Sequence, residues 1–129
     1  MIVLDENFPE SQRQLLKSWR IRVRQIGYEI GRKGLKDDEI IPELLKLPRL
    51  TFFSLDSDFD RLKYCHARYC LAFLDVGQYE AATFIRRFLK HPTFNTQAKR
   101  LDKIIRVSHL FIAARGRHSK KSEHFSWPN

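Results

Sequence analysis

Aspartates follow two of the most apolar segments of this chain. Asp5 comes directly after the apolar run at 2–4, and Asp56 and Asp58 come after the run at 50–55. Carboxylates at neighbouring strand ends repel one another, and a divalent metal is the usual compensation, because hard oxygen ligands suit Mg²⁺ or Mn²⁺. Such a metal orients and deprotonates a water and stabilises the oxygens of an in-line phosphodiester displacement. The spacing therefore indicates metal-dependent work on a polyanion.

A third acidic group, at 37–39, opens a helical pattern. We expect Asp37 or Asp38 to cap this helix, because an Asp side chain accepts the free N–H groups of a first turn. The apolar face of the helix is then Ile40, Ile41, Leu44 and Leu45. Pro42 lies inside the pattern and predicts a late start or a kinked first turn.

Two other chemistries fit the run at 56–60 less well. An EF-hand loop needs Gly at its sixth position and Glu at its twelfth, and this chain has Arg61 and Ala67 there. Aspartyl-phosphate phosphatases carry a D-x-D motif after their first strand and need a later Lys and an acidic pair. The second half of the chain offers only four acids: Asp75, Glu80, Asp102 and Glu123. Metal-ion catalysis is therefore the preferred interpretation.

The elements that position these acids alternate between strands and helices. Apolar runs predict strands at 1–5, 50–55, 69–74 and 109–114, and alternation of charge predicts a half-exposed strand at 20–24. Helical spacing predicts helices after Pro9, at 38–45, at 81–89 and at 98–106. This order implies an α/β fold with a parallel sheet and helices on both faces. In a 2-1-3-4-5 strand order, Asp5 and Asp56 meet where the order reverses, and ligands bind there.

The charge of the chain is unevenly distributed. The net charge is +9, and residues 61–129 contain 14 Lys and Arg against four acids, which favours contact with nucleic acid. The candidate RNA-contacting residues are a stripe of Arg20, Arg22 and Arg24 and a tail with Arg115, Arg117, Lys120 and Lys121. Phe125 and Trp127 add stacking surfaces to that tail. A solvated edge is the alternative for the stripe, and disorder is the alternative for the tail.

The cysteines and the hydropathy of the chain predict where in the cell the protein is located. Cys65 and Cys70 lack the two further ligands that a zinc site needs, and Cys70 lies in an apolar run, so we expect a buried free thiol. Two cysteines and no signal peptide predict a cytoplasmic protein. No apolar run approaches 18 residues, so we expect no membrane span.

Three motifs in order resemble the PIN-like domains related to VapC-type toxins. They are Leu4-Asp5-Glu6-Asn7, Gly34 with Asp37 and Ile40, and Ser54-Leu55-Asp56-Ser57-Asp58-Phe59, and they cover about residues 1–75. The resemblance implies a three-layer α/β/α sandwich with a mainly parallel five-stranded sheet and a Mg²⁺- or Mn²⁺-dependent ribonuclease site. It implies that Asp5, Asp37, Asp56 and Asp58 bind the metal. Candidate supporting residues are Glu6, Asn7, Asp38, Glu39 and Asp60.

The expected organisation is a PIN-like nuclease domain at 1–114 and a basic C-terminal tail at 115–129. Many proteins of this type are toxins, so the expected partners are RNA and a small antitoxin protein. The sequence leaves a homodimer open. The alternative function is a non-catalytic RNA- or antitoxin-binding module on the same fold, which would bind RNA without metal-dependent turnover.

Overall fold

The computed structural model describes residues 1–119 and 121–128, which form one mixed sheet flanked by helices. The strands are β1 Ile2–Leu4, β2 Arg24–Gln25, β3 Leu50–Ser54, β4 Tyr69–Asp75, β5 Lys103–Ser108, β6 Phe111–Gly116 and β7 Glu123–Ser126. The α-helices are α1 Glu10–Ser18, α2 Asp37–Leu45, α3 Ala81–Lys90 and α4 Gln97–Arg100. Within these two ranges, none of the helices has the length and apolarity that a membrane crossing requires.

The strand order is β2-β1-β3-β4-β5-β6-β7. The first five strands are parallel, and β6 and β7 are antiparallel to their neighbours. The expected pairing of β1 with β3 and the edge position of β2 are confirmed. The expected count of five strands is wrong, because seven strands form the sheet. The order reverses between β1 and β3, and in open α/β sheets ligand sites lie beyond the carboxyl ends at such a point.

Helices cover the sheet from two sides. Leu16 of α1 and Phe88 of α3 pack with Phe53 in one buried cluster. Ile40 and Leu44 of α2 pack in a second cluster. Successive residues of a strand face opposite sides, so β3 contributes Phe52 to the second cluster and Phe53 to the first. An α/β layered architecture is therefore present, as expected.

The predicted helix at 98–106 is wrong over most of its length. Helix α4 ends at Arg100, and residues 103–108 form β5 in the middle of the sheet. Asp102 separates the two elements with a φ of +63°, in the left-handed region that ends a helix. The β-branched side chains of Ile104, Ile105 and Val107 suit the strand that follows.

The second strand and the second helix also differ from expectation. Residues 20–23 lie outside β2, which consists of Arg24 and Gln25 only. The residue preceding α2 is Lys36, so neither Asp37 nor Asp38 is its cap. The Glu39 carboxylate instead accepts the backbone N–H of Lys36 at 3.1 Å. The helix runs through Pro42, with Asp37 as its first residue.

The segment 115–129, expected to be a partly ordered tail, contains an ordered strand. β7 pairs with β6, and Phe125 and Trp127 pack against the cluster that contains α1 and α3. The indole N–H of Trp127 donates to the carbonyl of Ser108 at 2.8 Å. The described part of this segment therefore belongs to the folded sheet.

Both thiols are partly or fully shielded from solvent. Cys70 is buried, as expected, and burial raises its pKa to about 12. Burial, together with the charge of Asp102, raises the pKa of Cys65 to about 11. Thiols held protonated at neutral pH are poor nucleophiles and poor metal ligands.

Candidate metal centre

The expected acids converge at the carboxyl ends of β1 and β3. One carboxylate oxygen each from Asp37, Asp56 and Asp58 lies within 4.8 Å of the other two. Asp37 comes from the start of α2, and Asp56 and Asp58 come from the segment after β3. We call these three residues the acid cluster. A single cation reaches three oxygens this close together, and exposed acids at this spacing otherwise repel one another.

Asp5 lies beside the acid cluster but deeper in the protein. Its side chain is only 9% exposed. Its Oδ2 accepts the hydroxyl of Ser54 at 2.6 Å, and its Oδ1 accepts the backbone N–H of Glu6 at 2.8 Å. Burial raises the pKa of Asp5, and the charge of Asp56 adds to this rise, while the two hydrogen bonds oppose it. Asp5 is therefore a shielded carboxylate that a nearby positive charge would stabilise.

The negative charges of the neighbouring acids also act on Asp37. Its pKa is raised, first by partial burial and then by the negative charges of Asp56, Asp58 and Asp5. The four expected metal-binding acids thus form one electrostatic group, although only three meet the 4.8 Å distance. A positive charge among them would lower these pKa values again.

A short, well-packed turn holds Asp56 and Asp58. Residues 57–59 form a 3₁₀ turn, and the Asp56 carboxylate accepts the backbone N–H of Asp58 at 2.9 Å. Phe59 ends this turn as a buried anchor whose ring meets that of Phe52 edge-on at 5.0 Å. The apolar anchor fixes the turn, and the turn fixes the direction of the two carboxylates.

Gln25 holds the loop that follows β1. Its buried side-chain amide donates to the backbone carbonyls of Asp5 and Glu6, both at 3.0 Å, and of Phe8 at 3.3 Å. The amide oxygen accepts from the Arg13 guanidinium at 2.8 Å. Neither Gln25 nor Ser54 was predicted from the sequence as a positioning residue. A polar residue at a strand end is the one local signal that each carries.

The supporting residues have mixed outcomes. Glu6 accepts the backbone N–H of Gly34 at 2.8 Å and so holds a neighbouring loop. Glu39 caps α2. Asp60 forms an ion pair with Arg115 at 2.6 Å, so a protein side chain already neutralises its carboxylate. Asp38 is exposed and lies outside the acid cluster.

A pocket of about 490 Å³ opens next to the acids. Its walls include Asp5, Asn7, Asp56 and Gln78, so Asn7 is the supporting residue that faces the pocket with two of the acids. The volume is in the range of small-ligand pockets. A second cavity of about 480 Å³ contains Asp75 and Arg106, but these two side chains form an ion pair at 2.5 Å. The first pocket is therefore the one with unneutralised carboxylates.

The expected RNA-contacting residues of the stripe and of the tail have different surroundings. Arg115 is paired with Asp60, and Arg117 is paired with Asp102 at 2.7 Å. Lys121 is exposed, and Lys120 lies outside the described residues. Arg20 and Arg22 line a common cleft with Lys17, and Arg24 is the exposed first residue of β2.

Comparison with known proteins gives no match. No protein-family model matches the chain, and neither a curated protein nor a solved structure matches it at a significant level.

Proposed function

We propose that this protein is a metal-dependent endoribonuclease of the PIN-like type. The observation that carries the proposal is the acid cluster, in which oxygens of Asp37, Asp56 and Asp58 lie within 4.8 Å of one another beside the buried Asp5. This arrangement stands at the reversal point of the sheet, where α/β proteins bind ligands. The motif order in residues 1–75 supports the same assignment.

The residues present fit a hard divalent cation. All four candidate ligands are carboxylates, which suit Mg²⁺ or Mn²⁺ better than softer metals. Burial raises the pKa of Asp5 and of Asp37, and the negative charges of neighbouring acids raise both pKa values further, so a bound cation would stabilise the charged forms. Asp37, Asp56 and Asp58 would hold the cation, and Asp5 would complete its negative surroundings.

In this proposal, the side chains of the site have different roles in phosphodiester hydrolysis. When bound, the cation supplies Lewis-acid polarisation to the phosphodiester and to the attacking water. Ser54 keeps Asp5 in one orientation, and the 3₁₀ turn holds Asp56 and Asp58 with their carboxylates close together. Asn7 and Gln78 line the pocket with neutral amides that can donate to phosphate oxygens.

The proposed partners are RNA and a small antitoxin protein. The net charge of +9 favours RNA, which is a polyanion, and the PIN-like resemblance favours a toxin paired with an antitoxin. A small reading frame adjacent to the gene of this protein, whose product co-purifies with it, would support the pairing.

A cleavage assay tests the proposal. End-labelled RNA is incubated with the protein in Mg²⁺, in Mn²⁺ or in EDTA, and products are resolved on a gel. We expect cleavage only with metal, and at least a hundredfold loss in Asp56→Asn and in Asp5→Asn, because the loss of one electrostatic catalytic group costs about 10²–10³ in rate. Glu10→Gln removes an exposed carboxylate from α1 and is the matched control.

The assay also separates the proposal from the binding-module alternative. A binding module would retain RNA in a gel-shift experiment but give no metal-dependent products. Cleavage that persists in both Asp variants would remove these acids from the mechanism.

A further inference from the structure

A cationic cleft lies at the far end of α1 from the acid cluster. Its walls are Lys17, Arg20, Ile21, Arg22 and Val23, and its volume is about 460 Å³. The wall residues include three basic side chains and no acid. Within residues 1–119 and 121–128, none of the three basic side chains forms an ion pair.

The lack of acidic partners distinguishes this cleft from the pockets that Arg106 and Arg115 line. Arg106 and Arg115 are each neutralised by an aspartate. Uncompensated positive charges that line one concave surface raise the local concentration of anions. The charge pattern therefore points to an anionic ligand.

Arg20 occupies a backbone position that favours glycine. Its φ is +62°, and its N–H donates to the carbonyl of Lys17 at 2.9 Å, while the N–H of Ile21 donates to the carbonyl of Leu16 at 3.0 Å. These two bonds form a Schellman motif, whose left-handed residue is usually Gly. The chain thus places a guanidinium where glycine would fold more easily, which suggests that the side chain is useful there.

The segment that forms the cleft is anchored to the core of the protein. Ile21 and Val23 pack against the cluster that contains α1 and α3, so the basic side chains project from an anchored segment. Trp19, which ends α1, carries the guanidinium of Arg86 over its ring at 3.7 Å. Arg86 brings a further cation into this part of the surface.

We infer that this cleft binds backbone phosphates of the RNA strand whose scissile bond lies at the acid cluster. The cleavage part of this inference rests on the proposed function. Helix α1 has nine residues and spans about 13 Å at 1.5 Å per residue, from the loop that follows Asp5 to the cleft. At about 3.4 Å per nucleotide of a stacked strand, that distance corresponds to about four nucleotides. A stacked RNA shorter than this does not extend from the cleft to the loop that follows Asp5.

A binding experiment with substitutions that preserve the fold tests the cleft. Arg20→Gly removes the cation and suits the left-handed backbone, so the variant should fold at least as well as the wild type. Arg22→Ala removes a second, exposed cation. Arg49→Ala is the matched control, because Arg49 is exposed, precedes β3 and lies outside the cleft.

Affinity for a fluorescent 12-nucleotide single-stranded RNA is measured in EDTA over a salt series from 50 mM to 1 M. Removal of one cation that binds a phosphate should reduce the logarithmic salt slope by about 0.7, and should weaken binding at 50 mM by about eightfold. We expect this change in Arg20→Gly and in Arg22→Ala but not in Arg49→Ala. Equal changes in all three variants, no change in any, or no RNA binding by the wild type would overturn the inference. Loss of polyglutamate binding in the two cleft variants, with RNA binding intact, would assign the cleft to an acidic protein and also overturn it.

A cleavage experiment tests the link to the acid cluster separately. The ratio of wild-type to Arg20→Gly kcat/KM should be larger on the 12-nucleotide RNA than on a trinucleotide. Equal ratios would overturn the link between the two sites. If no RNA is cut under any condition, the proposed nuclease activity fails, whereas the binding result in EDTA still decides whether the cleft holds RNA.

Discussion

The hydroxyl of Ser54 donates to Oδ2 of Asp5 at 2.6 Å, across the boundary between β3 and the end of β1. The same hydroxyl oxygen accepts the backbone N–H of Asp56 at 3.0 Å. One small side chain therefore sets both the orientation of the buried carboxylate and the path of the segment that carries Asp56 and Asp58.

Ser54→Ala should destabilise the protein by about 2 kcal/mol at pH 8, because hydrogen bonds to charged groups are worth roughly 1.5–3 kcal/mol. It should also raise the pKa of Asp5 further, since that hydrogen bond favours the charged form. Urea unfolding measures the first effect, and carboxyl-carbon NMR titration measures the second. Ser11→Ala, at an exposed position of α1, should change stability by less than about 0.5 kcal/mol. An unchanged Asp5 titration in Ser54→Ala would show that the hydroxyl does not stabilise the carboxylate.

The metal-free protein should lose stability from Asp5 and Asp37 as the pH rises. Both have pKa values above the ordinary 3.8, so the native state binds these protons more tightly than the unfolded state does. Their contribution is complete below pH 3.8 and is lost as the pH rises through the folded pKa values. Other acids, such as Glu29, have lowered pKa values and act in the opposite direction. The unfolding free energy of Asp5→Asn relative to the wild type isolates the Asp5 contribution.

That difference should increase in favour of Asp5→Asn between pH 4 and pH 8 in EDTA. Thermal or urea unfolding at each pH measures it, and Glu10→Gln should show no such trend. Millimolar Mg²⁺ or Mn²⁺ should reverse the trend in the wild type, because a ligand at a hundredfold excess over its dissociation constant stabilises by about 2.7 kcal/mol. A difference that is flat with pH would show that burial does not shift the Asp5 titration.

The sequence was sufficient to predict which strand ends carry the acids. Apolar runs at 2–4 and 50–55 indicate buried strands, and the parallel order then brings Asp5 and Asp56 to one edge. The same local patterns could not reveal Ser54 or Gln25 as positioning residues. Their partners lie 49 and 17–20 residues away in the sequence, so their roles depend on tertiary contacts that no local period encodes.

The failure at 98–106 has a different cause. Ala98, Leu101, Ile104 and Ile105 are spaced as on a helix, and a short apolar segment fits either period. The backbone reversal at Asp102 and the parallel pairing of β5 with β4 favour a strand instead. Because residues 103–106 were predicted to be helical, the prediction placed no β5 in the sheet. The position of β7 could therefore not be predicted either.

Gln25→Glu should destabilise the protein by roughly 3 kcal/mol or more. The substitution turns an amide that donates to the carbonyls of Asp5, Glu6 and Phe8 into a carboxylate that faces the same oxygens, and unsatisfied buried groups cost about 1–3 kcal/mol each. Urea unfolding measures the effect. Gln14→Glu makes the same chemical change at an exposed position of α1 and should cost less than about 0.5 kcal/mol. If the two substitutions cost the same, the Gln25 amide does not hold the loop after β1.

Trp127→Ala should destabilise the protein by roughly 2–3 kcal/mol, because it removes packing and a hydrogen bond to the Ser108 carbonyl. Because Trp127 is only half-buried, we expect its removal to reduce the free energy of unfolding by less than the removal of a fully buried Trp. His118→Ala changes an exposed residue of the same segment and is the control. Thermal unfolding with equal midpoints for Trp127→Ala and the wild type would mean that the segment after β6 contributes nothing to the fold.

The position of β7 at one edge of the sheet has a consequence for the newly made chain. The four acids of the candidate metal centre lie within the first 58 residues, whereas β7 begins at Glu123. At about 5–20 residues per second, translation reaches β7 roughly 3–13 s after Asp58. During that interval β4, β5 and β6 are also still being made, so the outer edge of the growing sheet has no partner strand, and an open edge invites pairing with other chains. The seconds before β7 emerges are therefore the period in which a nascent chain most needs protection from aggregation.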